Sequence, residues 1–385
     1  MTVFPFTEDH EMLRGAVRDF TNNEIRPLAA SIDENEDVPQ ALIDKMKELG
    51  FFGVVFPTEL GGGGFGEVGY CILLEEIARA CASTAVVIGG HQSLGAMAIY
   101  LHATEEQRQH WIPRMATGEI LSAYALTEPG AGSDAGSIKT TATPVDGGFI
   151  LQGNKTFITN GNIADALVVF AVTDAAKGTR GGITAFIVEA KSEGFTTGKP
   201  EKKLGIRGSH TTDLFFEKVF VPNDRVLGGV GNGFAVAMET LDVARLSLGA
   251  QCLGAAKELV DMSAAHANTR IQFGKPIGAQ QAVQQMIADM TLNVYTMETI
   301  LYRTAWMCDN DLPHTRESGI VKLHCSEALG EIADAAVQIH GGMGYMREFP
   351  VERYYRDARI HRIFEGTNEI QRLVIARDVL KKNGY

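Results

Sequence analysis

The chain is predicted to be an α+β protein of several domains, on three observations. Apolar residues recur at three- and four-residue spacing up to about Gly118, at two-residue spacing from about Leu121 to Val226, and at helical spacing again from Gly233 onward. The length of 385 residues exceeds what one small core organises. Hydrophobic residues at 45 % and charged residues at 21 % are those of an ordinary folded protein. The expected division is a helical domain at 1–120, a β domain at 121–230 and a second helical domain at 231–385.

In the first segment Leu13, Val17 and Phe20, then Leu42, Met46 and Leu49, mark helical faces, and Pro27, Pro39 and Pro57 separate the elements. In the second, Gly148–Thr159 reads as two strands around a Gly153-Asn154 turn. Ala166–Val172, Ile183–Val188 and Asp213–Val221 are further strands, rich in Val, Ile and Phe. In the third, Phe234 to Leu259, Val283 to Leu301 and Ile320 to Ile339 each keep one apolar helical face.

The net charge of −12 and the lack of a Lys/Arg block argue against a nucleic-acid partner. Five cysteines, odd in number and without a C-x-x-C, indicate free thiols in a reducing compartment. Met1–Glu8 lacks the basic and apolar regions of a signal peptide, and no uninterrupted apolar run reaches about 18 residues. A cytoplasmic protein without a membrane span is therefore expected.

Gly61-Gly62-Gly63-Gly64-Phe65-Gly66 satisfies G-x-G-x-x-G, but Pro57–Leu60 separates it from the apolar run before it, and no second strand follows. A flexible inter-helix loop is expected there in place of a dinucleotide fingerprint. A carboxylate-bridged metal bundle needs Glu three residues before His on a helix, and no histidine here has one.

Glu365 is the most informative residue. It precedes Gly366-Thr367-Asn368, a tight turn that opens a helix, where Gly366 lets a ligand approach the backbone and Thr367 or Asn368 caps. Desolvation there raises a carboxylate into the range of a useful base, whereas the helix N-terminus favours its charged form. The bland alternative is a first-turn acid that stabilises its own helix. Other segments add to it. Tyr124–Asp134 (Y-A-L-T-E-P-G-A-G-S-D) is a strand end entering a glycine-rich loop whose hydroxyls and N–H groups suit a planar cofactor or a phosphate. Phe157-Ile158-Thr159 puts an aromatic and a hydroxyl on one face. Arg270–Lys275 (R-I-Q-F-G-K) supplies a cation and an aromatic suited to a pyrophosphate, and Gln338–Tyr345 (Q-I-H-G-G-M-G-Y) ends a helix in glycines.

Together these segments resemble the acyl-CoA dehydrogenase family, in its order and at its spacing, over almost the full length. The resemblance implies an N-terminal helical domain, a β-barrel-like middle domain and a C-terminal four-helix bundle, assembled as a homotetramer (a dimer of dimers) with one FAD per subunit. By the same resemblance Tyr124, Leu126, Thr127, Gly132 and Ser133, with Phe157, Ile158 and Thr159, surround the flavin. Thr367 and Glu369 contact the cofactor. Arg270, Gln272 and Phe273, with Gln338, Gly341 and Gly342, hold its pyrophosphate and adenine, partly across a subunit interface. Ser133, Asp242, Arg245, Gly366 and Gly90 serve the acyl-CoA, and Glu365 removes the α-proton while the flavin accepts the β-hydride. The product is a trans-2-enoyl-CoA, and electrons pass to an electron-transferring flavoprotein.

Two departures matter. Many members place Trp where this chain has Phe157. Some branched- and long-chain members carry the base in an L-D-x-E-R motif, but Leu241-Asp242-Val243-Ala244-Arg245 has Ala244 there, which leaves Glu365. Gly89-Gly90 removes side chains near the acyl pocket floor, and Gly90–Gly95 and Glu201–Gly205 are similar to the very-long-chain branch. A medium- to long-chain acyl substrate is expected on that basis; close helix packing is the other reading of the glycines. An acyl-CoA oxidase and a non-catalytic flavin- or thioester-binding relative are the alternatives.

Overall fold

The computed structural model describes residues 6–382, so the reading of Met1–Glu8 as lacking a leader falls partly outside it. Seven α-helices come first: α1 (Glu8–Phe20), α2 (Ala29–Asn35), α3 (Gln40–Glu48), α4 (Gly66–Ala78), α5 (Ala82–Gly89), α6 (Met97–His102) and α7 (Glu105–Ala116). Thr7 caps α1 by accepting the His10 N–H at 3.2 Å. The run Phe51–Phe56 forms turns, with no strand, and the glycine loop after it leads into α4, as expected of an inter-helix connection. The segment Ala82–His102 has the length and the mean hydropathy (1.2) of a bilayer span, which the sequence reading passed over because His91, Gln92 and Ser93 interrupt it. Most of it (83 %) is buried inside the protein, so its apolar surface is already covered by core.

The β part has eight strands: β1 (Ser122–Ala125), β2 (Thr141–Val145), β3 (Gly148–Thr159), β4 (Ala166–Val172), β5 (Ile183–Glu189), β6 (Phe195–Thr197), β7 (Thr211–Pro222) and β8 (Val226–Leu227). They join in one sheet of order β6-β7-β3-β2-β4-β5-β8, with β1 parallel to β4. The sheet curls on itself so that Phe149 of β3 meets Phe186 of β5 at 5.1 Å between ring centroids, over a core shared with Leu167, Val169 and Leu214. β4 is apolar throughout because both of its faces are covered. Leu167 and Val169 enter the β core, while Ala166, Val168 and Phe170 pack with Trp111 and Ile112 of α7.

One expectation fails here. Gly153-Asn154 is not a turn, because Gly148–Thr159 is a single strand paired with β7. The chain reverses at Asp146-Gly147, where Gly147 has φ 79°. Gly153 answers a different need: a Cβ there would lie 2.7 Å from Thr140 Oγ1, at a break in strand register.

The remainder is helical. α8 (Gly233–Thr269) is 37 residues long, and a two-residue hairpin of β9 (Ile271–Gln272) and β10 (Lys275–Pro276) follows it. Then come α9 (Gln281–Asp309), α10 (Thr315–His340), α11 (Val351–Ala358) and α12 (Asn368–Lys382). α8, α9 and α10 pack on one another and α12 packs on α10, which makes the four-helix bundle. α4 lies against α8 so closely that a Cβ at Gly254 would sit 2.0 Å from the Glu75 carbonyl oxygen. Across this junction Glu75 binds Arg14 at 3.2 Å and Lys257 at 2.7 Å, and Tyr302 donates to it as well. The buried acid of α4 is therefore paired from α1, α8 and α9 at once. Gly254→Ala is expected to lower stability by about 1–3 kcal/mol, because backbone has to move apart; a drop in the thermal unfolding midpoint of the purified protein checks it.

Candidate active site

A cleft of about 200 Å³ opens where the β sheet, the helical N-terminal part and the bundle meet. Its wall includes twelve of the residues singled out by sequence: Gly90, Tyr124, Leu126, Thr127, Gly132, Ser133, Phe157, Ile158, Thr159, Arg245, Glu365 and Gly366. Val86, Gly89, Leu94, Ala135, Met238, Leu241, Gln251, Phe364 and Ile370 complete it.

The loop after β1 is held from beneath by a buried ion pair. Lys155 Nζ donates to Glu128 Oε1 at 2.7 Å and to the Leu126 carbonyl at 3.1 Å, and Glu128 also accepts the N–H groups of Lys139 and Thr140. The Thr156 N–H reaches the Thr127 carbonyl at 2.9 Å. Burial pushes the Lys155 amine down to about 8 against the pull of Glu128. Just beyond, Phe157 sits at φ 58° in an irregularity of β3, which turns its ring outward to the cleft and leaves it 66 % exposed.

Glu365 also adopts a left-handed conformation, φ 58°, and Gly366 follows at φ 89°. Arg245 Nε donates to the Glu365 carbonyl at 3.4 Å, and Gln371 Nε2 donates to the carbonyls of Glu365 and Gly366 at 3.3 and 3.2 Å. Arg245 is itself paired with Asp242 at 2.6 Å. Thr367 caps α12 by accepting the Ile370 N–H at 3.4 Å. Asn368 does not cap, contrary to one of the two options read from sequence: its side chain is buried against Lys322 and Ser326. Glu365 Oε2 is buried without a hydrogen-bond partner. Burial raises the carboxyl to about 8, and the charges of Lys322 and Arg245 oppose that rise.

Other predicted residues stand apart from the cleft. Thr367 and Glu369 lie just past it on the turn, and Asp242 lines a neighbouring groove with His314 and Thr315. Arg270, Gln272 and Phe273, with Gln338, Gly341 and Gly342, collect at the far end of the bundle, where His266 and His340 stack at 4.4 Å. From Arg245 to Arg270 along α8 is about 37 Å at 1.5 Å per residue. Phe273 and Gly274 both have positive φ (53° and 76°), as a tight two-residue hairpin requires, and Phe273 is 94 % exposed at its tip.

The glycines near the cleft do not widen it. A Cβ on Gly90 would lie 2.8 Å from Thr159 Cγ2, and one on Gly89 would lie 3.1 Å from Gln251 Nε2. The string Gly90–Gly95 is a packing and hydrogen-bonding device. His91 takes the Ser122 N–H at 2.9 Å and reaches the Met115 carbonyl, Gln92 bonds Phe51 and Val55, and Ser93 meets Ser247 at 3.1 Å. The reading of these glycines as room for a longer acyl chain thereby gives way to the other one, close packing. Sequence reasoning missed Gln251, Gln371 and Lys322; a lysine within the apolar face of α10 was the available signal for the last.

Lys155→Met leaves Glu128 buried without its cation and is expected to cost about 3–5 kcal/mol. The double replacement Lys155→Met with Glu128→Leu recovers most of that loss, and thermal unfolding of the three proteins measures both.

Models of the N-terminal, middle and C-terminal domains of acyl-CoA dehydrogenase match residues 7–119, 123–219 and 231–380. The chain is 42 % identical to the short-chain specific acyl-CoA dehydrogenase of Clostridium acetobutylicum, over 98 % of this chain and 100 % of that one. It is 43 % identical to the caffeyl-CoA reductase-Etf complex subunit CarC of Acetobacterium woodii, with the same coverage. The structure of butyryl-CoA dehydrogenase from Megasphaera elsdenii superposes with a TM-score of 0.96 at 38 % identity, covering 98 % of this chain and 99 % of that one. Two of these three carry short-chain names, and none carries the medium- or very-long-chain name anticipated from the sequence. With all three domain models matched in order, the chain belongs to the acyl-CoA dehydrogenase family.

Proposed function

We propose that the protein removes two hydrogens from a short-chain acyl-CoA thioester to give the trans-2-enoyl-CoA, with FAD as its cofactor and Glu365 as the base. The observation that carries this is the Oε2 atom of Glu365, buried without a hydrogen-bond partner at the wall of the cleft. FAD, when bound, supplies the hydride acceptor. The wall fits such a group: the loop backbone at Leu126 and Thr127 is pinned from behind, Phe157 offers a flat face, and the space beside Gly132 is open. Tyr124, Ser133, Ile158 and Thr159 complete the flavin side, and Thr367 and Glu369 contact the cofactor from the turn.

Glu365 takes the α-proton onto its carboxylate. Burial makes it basic near neutral pH, and Arg245 and Lys322 keep the anion accessible. Ser133, Asp242, Arg245, Gly366 and Gly90 position the thioester. Gln251 closes the acyl end, since its amide packs against Gly89 with Oε1 buried and unpartnered. An acyl chain of about four carbons is the reading this favours, in line with the short-chain relatives.

Arg270, Gln272 and Phe273, with Gln338, Gly341 and Gly342, lie too far from Glu365 in one subunit to share its cofactor. We assign them to the FAD of a neighbouring subunit in a homotetramer. The hairpin with exposed Phe273 supports that assignment, as does the open space beside Gly341 and Gly342. An electron-transferring flavoprotein is the proposed acceptor, and the cytoplasm, by analogy with bacterial relatives, the proposed location. The relative named as a reductase favours a second reading, in which the same site runs towards the saturated thioester with Glu365 returning the proton.

Anaerobic addition of butyryl-CoA is expected to bleach the flavin absorbance near 450 nm, and Glu365→Gln to slow this by about 10²–10⁴ or more. Transient re-oxidation of the reduced protein by crotonyl-CoA instead of by a flavoprotein acceptor identifies the reductive reading, and rapid re-oxidation by oxygen an oxidase. A wild-type protein that holds FAD and is not bleached by any acyl-CoA overturns the proposal. Because Glu365 has to be ionised to accept a proton, kcat/KM is expected to fall as pH drops below about 8. Gln251→Ala is expected to move the preference towards hexanoyl- and octanoyl-CoA, read as the ratio of kcat/KM values along the chain-length series.

A further inference from the structure

We propose that Lys322 is a positioning residue for the reaction: its buried ammonium, tethered through Asn368 to the first turn of α12, holds the Glu365 turn in place and keeps the Glu365 carboxylate available as an anion. The inference rests on the reading of Glu365 as the base. Lys322 lies within α10 and is fully buried. A lysine taken out of water costs several kcal/mol unless its charge is compensated, so its retention in a helix core calls for a counter-charge. The partner it bonds is neutral: Lys322 Nζ donates to Asn368 Oδ1 at 2.7 Å. Asn368 is then fully engaged, since Oδ1 also accepts from Ser326 at 3.1 Å and Nδ2 donates to Glu327 Oε1 at 3.0 Å. Asn368 stands three residues after Glu365, so this network fixes the far side of the turn whose near side Arg245 and Gln371 hold.

The carboxylate whose charge bears most on Lys322 is Glu365, and the influence is mutual. Burial lowers the Lys322 amine to about 8, with Glu365 the first influence to oppose it, and Lys322 is the first influence opposing the rise at Glu365. Other titratable groups facing Glu365 are Arg245 and Cys252 on α8, Tyr70 on α4 and Tyr124 on β1, and Glu369 on α12 also faces Lys322. Of these only Arg245 is cationic, and it is already committed to Asp242. Lys322 transfers no proton. Its contribution is to the fraction of Glu365 present as the anion before the α-proton moves, since the same charge that keeps the carboxylate ionised also makes it a weaker base.

The test compares wild type, Lys322→Met and Lys322→Arg as FAD-loaded proteins. Two quantities are followed against pH: the rate constant of flavin bleaching by butyryl-CoA, and the carboxyl band of Glu365 in substrate-free protein by infrared difference spectroscopy, assigned with Glu365→Gln. Lys322→Met is expected to move the acid limb and the carboxyl midpoint upward by about one pH unit or more. That appears as a tenfold or greater loss of rate below the limb and recovery above it, and Lys322→Arg restores part of the shift. Asn368→Ala, which keeps the charge and cuts its tether, is expected to shift both in the same direction by less, and it carries the test if Lys322→Met does not retain FAD. A rate that falls by one factor at every pH, with the carboxyl midpoint unmoved, assigns Lys322 a structural role only and overturns the inference. Failure of the wild type to bleach overturns the earlier reading instead.

Discussion

The structure depends on holding one carboxylate out of water on a backbone that does not favour it. Glu365 has φ 58°, a left-handed conformation that costs a non-glycine residue on the order of 1 kcal/mol or more, and its Oε2 is buried without a partner. Neither condition survives in an isolated segment. They persist because three helices converge on the turn: α8 through Arg245, α12 through Gln371, and α10 through Lys322, which bonds Asn368 at the start of α12. The bundle thus serves as the frame of this carboxylate as well as a core. Its own packing is tight enough for the purpose, with α4 and α8 in backbone contact at Gly254.

The opposite wall is made by a different physical device. There the chain is extended, and its loop after β1 has no helix to stiffen it. Stiffness comes from the Glu128–Lys155 pair, buried under the loop and joined to three backbone groups. The two walls are registered by polar contacts between the N-terminal helices and the sheet. His91 accepts the Ser122 N–H at 2.9 Å, and Asn160 Nδ2 donates to the Val87 carbonyl at 2.8 Å. Burial lowers the His91 ring to about 4, so it stays neutral and the contact is insensitive to pH near neutrality.

Glycine was the residue type most easily misread. At Gly153, and at Gly89 and Gly90, the sequence reading inferred a turn and extra room. At each place glycine instead admits a neighbour: Thr140, Gln251 and Thr159 fill the space a side chain would take. A glycine records that a side chain is unwelcome and leaves open whether solvent, ligand or protein is the reason. At Gly366, beside the cleft, φ is positive and a Cβ would lie 2.6 Å from Gln371 Nε2, so there too a protein side chain takes the space.

The sequence by itself determined the succession of helical, extended and helical segments, because hydrophobic period is a local property that survives without knowledge of the fold. It also determined Glu365, since a carboxylate ahead of Gly-Thr-Asn at a helix start is legible as a string, and the family resemblance through four such strings in order. Only the tertiary structure decided what surrounds that carboxylate. Lys322 is 43 residues away in sequence and Arg245 is 120, and no periodicity links them to the turn. It likewise decided that Arg270, at the end of α8, stands about 37 Å along that helix from Arg245 at the cleft. Separation of that kind follows from helix length and direction in space, which no local pattern encodes.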